Sequence, residues 1–379
     1  MPRYAHVTGW GMALPERVLT NQDLTGMVET SDEWIVSRTG IRERRIAGKN
    51  DTTASLATRA AGRALEMAHL EPRRVQLIIV ATSSPEHLFP PTACLVQDRL
   101  GASNAGAFDL SAACTGFIYA VNLAAQAIRS GSLDNALVIG SETLSRLVNW
   151  DDSGTCILFG DGSGAFVLQA SDRPGGVLSC VMRSDGSGGD LLSVPAGGSR
   201  LPTSLETVNK KLHTIHMNGR EIFRFATRVM ASATREAVEQ AGLRLNDIQL
   251  VIPHQANLRI IESAARGLRL PLSRFMINIE RYGNTSTASI PVAVCEAVDR
   301  GRISPGDHLV LVGFGAGLTW GALTLQWVSP ERVVRRAARL RRRLLGALGR
   351  VRSLVVRVWR VLEGLLWGSS TSTPPSSEP

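Results

Sequence analysis

RALEMAHLEPRRVQLIIVAT, residues 63–82, and REAVEQAGLRLNDIQLVIPHQ, residues 235–255, are two versions of one pattern: a helix-like stretch, a turn and an apolar strand-like run. Gln76 falls on Gln249, an offset of 173 residues, and at the same offset NALVIGSE (135–142) falls on HLVLVGFG (308–315). Between them, FDLSAACTG (108–116) matches MINIERYGN (276–284) at an offset of about 169. Each half reads as helix and strand three times over. The halves close with similar glycine-turn-strand segments, FGDGSGAFVLQAS (159–171) and GFGAGLTWGALTLQW (313–327). A period this long is a domain duplication, not a solenoid. Alternating helices and strands predict an α/β fold with mixed, mostly parallel sheets covered by helices on both faces. Runs such as LIIV and LVLV are apolar without interruption, as strands buried on both sides require. The pattern divides the chain into halves at 1–173 and 174–329, an extension at 330–367 and a tail at 368–379.

Three residues carry the chemistry. Cys114 lies in FDLSAACTGFIYA, His254 in VIPHQANLR and Asn284 in YGNTS. Each follows a strand-like run (AFDL, LVI and MINI), and in open α/β sheets sites gather at the carboxyl ends of strands. The duplication can bring a thiol from one half to an imidazole and an amide from the other. TGFIYAVNLAAQAIRSG after Cys114 is an amphipathic helix closed by Gly131, which puts the thiol at a helix N-terminus. Backbone N–H groups and the helix dipole there favour a thiolate and predict a lowered thiol pKa. Small neighbours Ser111, Ala112, Ala113 and Gly116 leave room for a substrate. Taken alone, the cysteine reads as structural and the asparagine as a helix cap. Together the three form a set for thioester acyl transfer, in which His254 and Asn284 donate to one developing oxyanion. The loop Gly313-Phe314-Gly315-Ala316-Gly317 lacks the lysine of a phosphate cradle and reads as a strand-to-strand turn whose N–H groups can serve a second oxyanion hole.

Composition excludes several other classes. Hydrophobic residues are 44 % of the 379, enough for a large core. No apolar run approaches the roughly 18 residues of a membrane span, and the start lacks a signal-peptide pattern, so a cytosolic protein is expected. The five cysteines are scattered without a CxxC pair. His213 and His216 have no HExxH context, and no metal site is expected. Of the net charge of +9, +8 resides in residues 331–379, which hold eleven arginines and three glutamates. The near-neutral body carries no nucleic-acid signature.

From about residue 4 to 328 the chain strongly resembles the β-ketoacyl-acyl-carrier-protein synthase III family, the initiating condensing enzymes of dissociated fatty acid synthesis. The motifs are TSDEWIVSRTGIRERRIA, FDLSAACTGF, LFGDGSGAFVL, VIPHQANLR, YGNTSTASIP and GFGAGLTWGA, in that order. The resemblance implies a thiolase-like αβαβα sandwich and a homodimer. It implies condensation of a short acyl-CoA, with acetyl-CoA the expected starter, onto malonyl-acyl-carrier protein, both substrates rather than cofactors. It makes Cys114 the acyl nucleophile and gives decarboxylation of the malonyl group to His254 and Asn284. It puts the oxyanion hole at the backbone N–H groups of Cys114 and Ala316. It assigns Trp34, Arg38, Gly219, Phe223 and Asn257 to the coenzyme A and pantetheine channel, Arg259 to carrier-protein docking, and Phe89 to the partner subunit's acyl pocket. Three departures stand out. Ser153 replaces an arginine that usually packs on the adenine, Ala316 replaces a common glycine, and the tail has no counterpart. A specialised relative starting polyketide or signalling products, or esterifying an alcohol, is the second enzyme reading; an inactive tethered scaffold is the third.

Residues 331–367 read as a basic amphipathic helix, with apolar positions such as Leu344, Val351, Val355, Val358 and Leu362 opposite Arg335, Arg342, Arg350 and Arg357. Contact with a membrane surface and packing onto a partner or the enzyme's own body are both open. SSTSTPPSSEP at the end is low-complexity and predicted disordered.

Overall fold

The structure, a computed structural model, describes residues 2–328 and, within the tail, Val355, Val358, Trp359 and Leu362. The first half runs β1 (Tyr4–Ala13), α1 (Thr53–Met67), β2 (Leu77–Ala81), α2 (Thr92–Leu100), β3 (Gly106–Leu110), α3 (Gly116–Arg129), β4 (Asn135–Thr143) and β5 (Asp161–Ser171). The second runs β6 (Gly176–Ser184), α4 (Gly219–Gln240), β7 (Leu250–Pro253), α5 (Leu258–Leu268), α6 (Ser289–Asp299), β8 (His308–Gly315) and β9 (Thr319–Gln326). Strands β2 and β7, and β4 and β8, begin at the 173-residue offset expected from the repeat. One sheet has the order β1-β5-β4-β2-β3, the other β7-β8-β9-β6.

Side-chain alternation on the strands builds five layers. On β4, Leu137 and Ile139 point to the alanine-rich face of α1, whereas Ala136 and Val138 point to the middle layer. That middle layer is α3 and α6, packed between the sheets through Phe117, Val121, Ile290 and Val294. Helix α6 is buried nearly all round, whereas α3 leaves Leu123, Gln126 and Arg129 exposed along one side. Phe117 meets Phe166 of β5 edge-on at 5.0 Å and 76°, a pairing worth about 0.5–1.5 kcal/mol beyond its buried area. Helices α4 and α5 cover the far face of the second sheet through Phe225, Val229, Ile260 and Ile261, against Val251, Val310 and Val312. Gly140 lets β4 pass under the chain after Asn284, because a Cβ there would lie 2.2 Å from the Thr287 carbonyl oxygen.

Two local expectations are corrected. Both sheets are mixed, but antiparallel ladders outnumber parallel ones. Pairs β1–β5, β4–β5, β8–β9 and β9–β6 are antiparallel; β2–β3, β2–β4 and β7–β8 are parallel. The closing turn between β8 and β9 is too short for a crossover, so its strands can only run back on each other. MINI (276–279) is not a strand. A single bridge joins Phe275 to Val251, and the chain then turns into a short helix, Ile279–Tyr282. A side chain takes the backbone donor a ladder would have used, and a second holds the Asn278 amide. The Asn278 N–H donates to Gln255 Oε1 at 3.0 Å, and its Nδ2 donates to Glu296 at 2.7 Å.

Candidate active site

Cys114 follows β3 through a sharp turn. Ala113 has φ of 44°, a left-handed conformation that costs a non-glycine residue on the order of 1–3 kcal/mol. The chain then makes a 3-10 turn, Ala113–Thr115, and enters α3. The thiol therefore stands at a helix start, as its sequence context predicts. Its acidity does not follow that prediction. Burial pushes the Cys114 thiol up to about 12; the Ser286 hydroxyl opposes the rise, and the nearby Glu142 carboxylate adds to it. Sequence shows the helix start but not the dry, partly acidic surroundings.

His254 closes β7. Its N–H donates to the Val312 carbonyl at 2.8 Å, which fixes the residue beside the end of β8. The ring stacks edge-on to Phe314 at 5.6 Å, and Nδ1 has no hydrogen-bond partner among the described residues. Burial lowers the imidazole pKa to about 3, so the ring is neutral near pH 7 and offers one N–H and one lone pair. The following segment is anchored by Gln255, whose Nε2 donates to Pro253 and Met276 carbonyls at 2.8 and 3.1 Å.

Asn284 is held on both sides of its peptide. Its N–H donates to Leu158 O at 2.8 Å, and its carbonyl accepts from Gly160 at 3.0 Å. Oδ1 accepts the Ser286 N–H at 2.9 Å. That leaves Nδ2 as the group presented to the cleft. The glycine loop ends β8 against the nucleophile. A Cβ on Gly315 would lie 2.7 Å from the Cys114 nitrogen, so only glycine allows this approach, and Ala316 next to it lines a cavity with the thiol. Ala316 is not among the positive-φ residues, so alanine fits there without strain.

Cys114, His254 and Asn284 line one cleft of about 590 Å³. Trp34, Arg38, Gly219, Phe223, Asn257 and Arg259 line the same cleft. Asn257 Nδ2 donates to the Arg38 carbonyl at 2.9 Å. The Arg259 guanidinium covers the Phe223 ring at 5.3 Å, and the Arg38 guanidinium covers Trp34 at 5.8 Å. Gly154 reaches the cleft while Ser153 does not line it; Arg220 does. A second, mainly apolar cavity of about 140 Å³ opens on the other side of Cys114, walled by Leu144, Leu147, Phe159, Leu192 and Ile215. Phe89 lines neither cavity and is 84 % exposed, beside Leu88 at 85 %. Among the described residues, no cluster of three or more histidine, cysteine or acidic side chains is placed to hold a metal.

Sequence reasoning missed Glu142, Ser286 and Arg220. Glu142 is the penultimate residue of β4 and is fully buried, near enough to raise the Cys114 thiol, and Ser286, two residues after Asn284, has φ of 46°. An acidic residue closing an otherwise apolar strand, NALVIGSET, was the available signal for Glu142.

A thiol, a neutral imidazole and an amide donor in one cleft, at the seam of a duplicated five-layer sandwich, define a thioester-handling enzyme of the thiolase-like class. The family profile described as 3-oxoacyl-[acyl-carrier-protein] synthase III matches residues 108–186, and its C-terminal counterpart matches 238–327. The β-ketoacyl-[acyl-carrier-protein] synthase III of Symbiobacterium thermophilum is 56 % identical over 321 residues, 85 % of this chain and 97 % of its own. That of Roseiflexus sp. strain RS-1 is 51 % identical over 329 residues, 87 % of this chain and 100 % of its own. The crystal structure of the Thermus thermophilus β-ketoacyl-[acyl-carrier-protein] synthase III superposes with a TM-score of 0.80 at 48 % identity, covering 85 % of this chain and 99 % of that one. The chain belongs to the β-ketoacyl-acyl-carrier-protein synthase III family, and is an acyltransferase of the condensing type.

Proposed function

We propose that this chain condenses a short acyl-CoA with malonyl-acyl-carrier protein, releasing CoA and CO2 and starting fatty acid synthesis. The observation that carries this reading is the convergence of Cys114, His254 and Asn284 on one cleft from both halves of the fold. The acyl-CoA enters past Trp34, Arg38 and Phe223. Cys114 sulfur attacks the thioester carbonyl, and the backbone N–H groups of Cys114 and Ala316 hold the oxyanion. CoA leaves and the acyl group occupies the apolar cavity. Its volume of about 140 Å³ is close to that of a cavity which admits one benzene ring, about 150 Å³, so the starter is short.

The malonyl-carrier thioester then takes the emptied cleft, guided by Arg259. Loss of CO2 leaves an enolate, whose oxygen receives the His254 N–H and Asn284 Nδ2. No base is needed to form this carbanion, and no bound cofactor is required. The carbanion attacks the acyl-Cys114 carbonyl to give 3-oxoacyl-carrier protein. An acyl-CoA panel with malonyl-carrier protein, read by mass spectrometry of the enzyme and of the product, tests this reading. Absence of an acyl-Cys114 adduct with every member would refute it.

The working unit we propose is a cytosolic homodimer in which Phe89 completes the partner's acyl cavity. Its exposure and the outer edge of β3, unpaired among the described residues, support this. The tail we assign to contact with an anionic membrane surface. Val355, Val358, Trp359 and Leu362 are helical and exposed at spacings that put them on one face, and the surrounding sequence is rich in arginine. The rest of the expected tail helix and the terminal segment lie outside the described residues. Among those described, no helix is long and apolar enough to cross a membrane.

A further inference from the structure

The oxyanion hole proposed above takes its two backbone N–H groups from different halves of the fold. Cys114 belongs to the turn that enters α3, and Ala316 to the loop between β8 and β9. The two segments press together where Gly315 approaches the Cys114 nitrogen, but packing of that kind has no direction. A directional link lies beside it. Thr115 follows the nucleophile and is fully buried; Thr319 is the first residue of β9. Thr115 Oγ1 donates to Thr319 Oγ1 at 2.8 Å, across 204 residues of sequence.

The Thr319 hydroxyl has one hydrogen of its own. It faces two carbonyls, Ala112 at 3.2 Å on the nucleophile turn and Ala316 at 3.1 Å in the loop. The pair therefore clasps the turn to the loop within two residues of each oxyanion donor. Neither segment needs the clasp to satisfy its own backbone. Ala112 O also accepts the Thr115 N–H at 3.2 Å. Gly315 pairs with Thr319 across the turn, and Leu318 exchanges N–H···O bonds with Asp185 at 2.7 and 2.8 Å. A valine would fill the buried site of Thr115 without the desolvation cost of a hydroxyl. What the two hydroxyls add is the tie between halves.

We propose that Thr115 and Thr319 are positioning residues, whose linked hydroxyls hold the Ala316 N–H at its working distance from the Cys114 N–H. Neither side chain lines the cleft or the acyl cavity, so neither meets the substrate. They act through the two backbone donors. Opening the clasp leaves the thiol on its turn and lets the Ala316 donor drift from the place where the thioester oxygen becomes negative. Misplacing a group by about 1 Å can cost about 10²-fold in rate, and losing one oxyanion donor outright costs about 10²–10³. The effect should fall on steps that build a tetrahedral oxyanion on the acyl carbonyl. It should spare reactions of the thiol that build none.

This inference rests on the reading of Cys114 as nucleophile and of the backbone oxyanion hole, and the test separates its failure from theirs. Acylation by acetyl-CoA and alkylation by iodoacetamide would be timed for wild type, Thr319→Val, Thr319→Ser, Thr115→Val and the double valine variant. Alkylation displaces iodide from a saturated carbon and develops no oxyanion, so it reports the thiol and the fold but not the hole. Thr319→Val should slow acylation by about 10–10²-fold and keep alkylation within about twofold of wild type. Thr319→Ser, which retains the hydroxyl, should recover acylation to within about threefold. The double variant should be no more than about twofold slower than Thr319→Val, because residues that act as one unit are not additive. Unchanged acylation in Thr319→Val would overturn the proposal. So would equal losses of acylation and alkylation, or a serine variant as slow as the valine. If Thr319→Val does not fold, Thr115→Val carries the same comparison, with acylation expected to fall and alkylation to hold; equal changes in the two would overturn the clasp. Failure of wild type to acylate Cys114 would instead refute the assignment of the nucleophile.

Discussion

Replacing Asn284 by aspartate isolates its proposed role in a way that alanine does not. Oδ1 already accepts the Ser286 N–H at 2.9 Å, so a carboxylate preserves that turn and the backbone pairing with Leu158 and Gly160. Alanine would remove the turn bond as well, at about 0.5–1.5 kcal/mol of stability. What aspartate loses is Nδ2, the one donor this residue offers the cleft. With one of two side-chain donors to the enolate gone, the barrier to decarboxylation should rise by about 2.7–4 kcal/mol, or 10²–10³ in rate. Acyl transfer to Cys114 uses backbone donors and should fall less than about tenfold, the residual loss coming from a second acid near the thiol. The assay is a two-stage rapid quench. Labelled acetyl-CoA is mixed with enzyme to time acylation, and acetyl-enzyme is then mixed with malonyl-carrier protein to time CO2 release. Comparable losses in the two stages would refute the division of labour between backbone and side-chain oxyanion holes. A rate of CO2 release within a few-fold of wild type would remove Asn284 from the chemistry.

Cys114→Ala should take up no stable acyl label, because none of the other cysteines lines the cleft; label on any of them would contradict this. Ser153→Arg should tighten CoA by about 1 kcal/mol through stacking on the adenine opposite Trp34, read by calorimetry; unchanged affinity would mean that the arginines already lining the cleft, Arg220 among them, fill that role. His254 should impose an acid limb on stability. Its folded pKa of about 3 is below the ordinary 6.5, so its contribution is complete above pH 6.5 and is lost as pH falls toward 3. His254→Gln should flatten that limb in denaturant melts between pH 7 and 4, and an identical pH dependence in both proteins would count against it. Deleting residues 331–379 should leave condensation intact and abolish salt-sensitive co-sedimentation with anionic vesicles, surface charges being screened beyond about 8 Å at physiological ionic strength; equal sedimentation of both forms would refute the membrane assignment.

Much of the fold was legible because the duplication is written at one offset, and the strand starts at Leu77 and Leu250 keep it. The cleft was legible wherever a side chain is presented by its own local element, as with Cys114 at a helix start or His254 at a strand end. The failures are non-local. MINI has strand composition, but Gln255 and Glu296 take the donors of Asn278. The thiol was expected to be acidic from its helix, whereas its acidity is set by burial and by Glu142, 28 residues away on another strand. Glu142 itself is tied to Ser83 and Thr287 by hydrogen bonds that span 59 and 145 residues, and no periodicity reports a partner at that distance.

The central claim is that condensation passes through an acyl group carried on Cys114. Its most direct test is time-resolved mass spectrometry of the enzyme mixed with acetyl-CoA and then with malonyl-carrier protein, with peptide mapping at each stage. The expected result is one acetyl group on the peptide containing Cys114, formed before the carrier is added and lost at the rate at which 3-oxoacyl-carrier protein and CO2 appear. Product forming with no acetyl-Cys114, or faster than that adduct disappears, would contradict the claim.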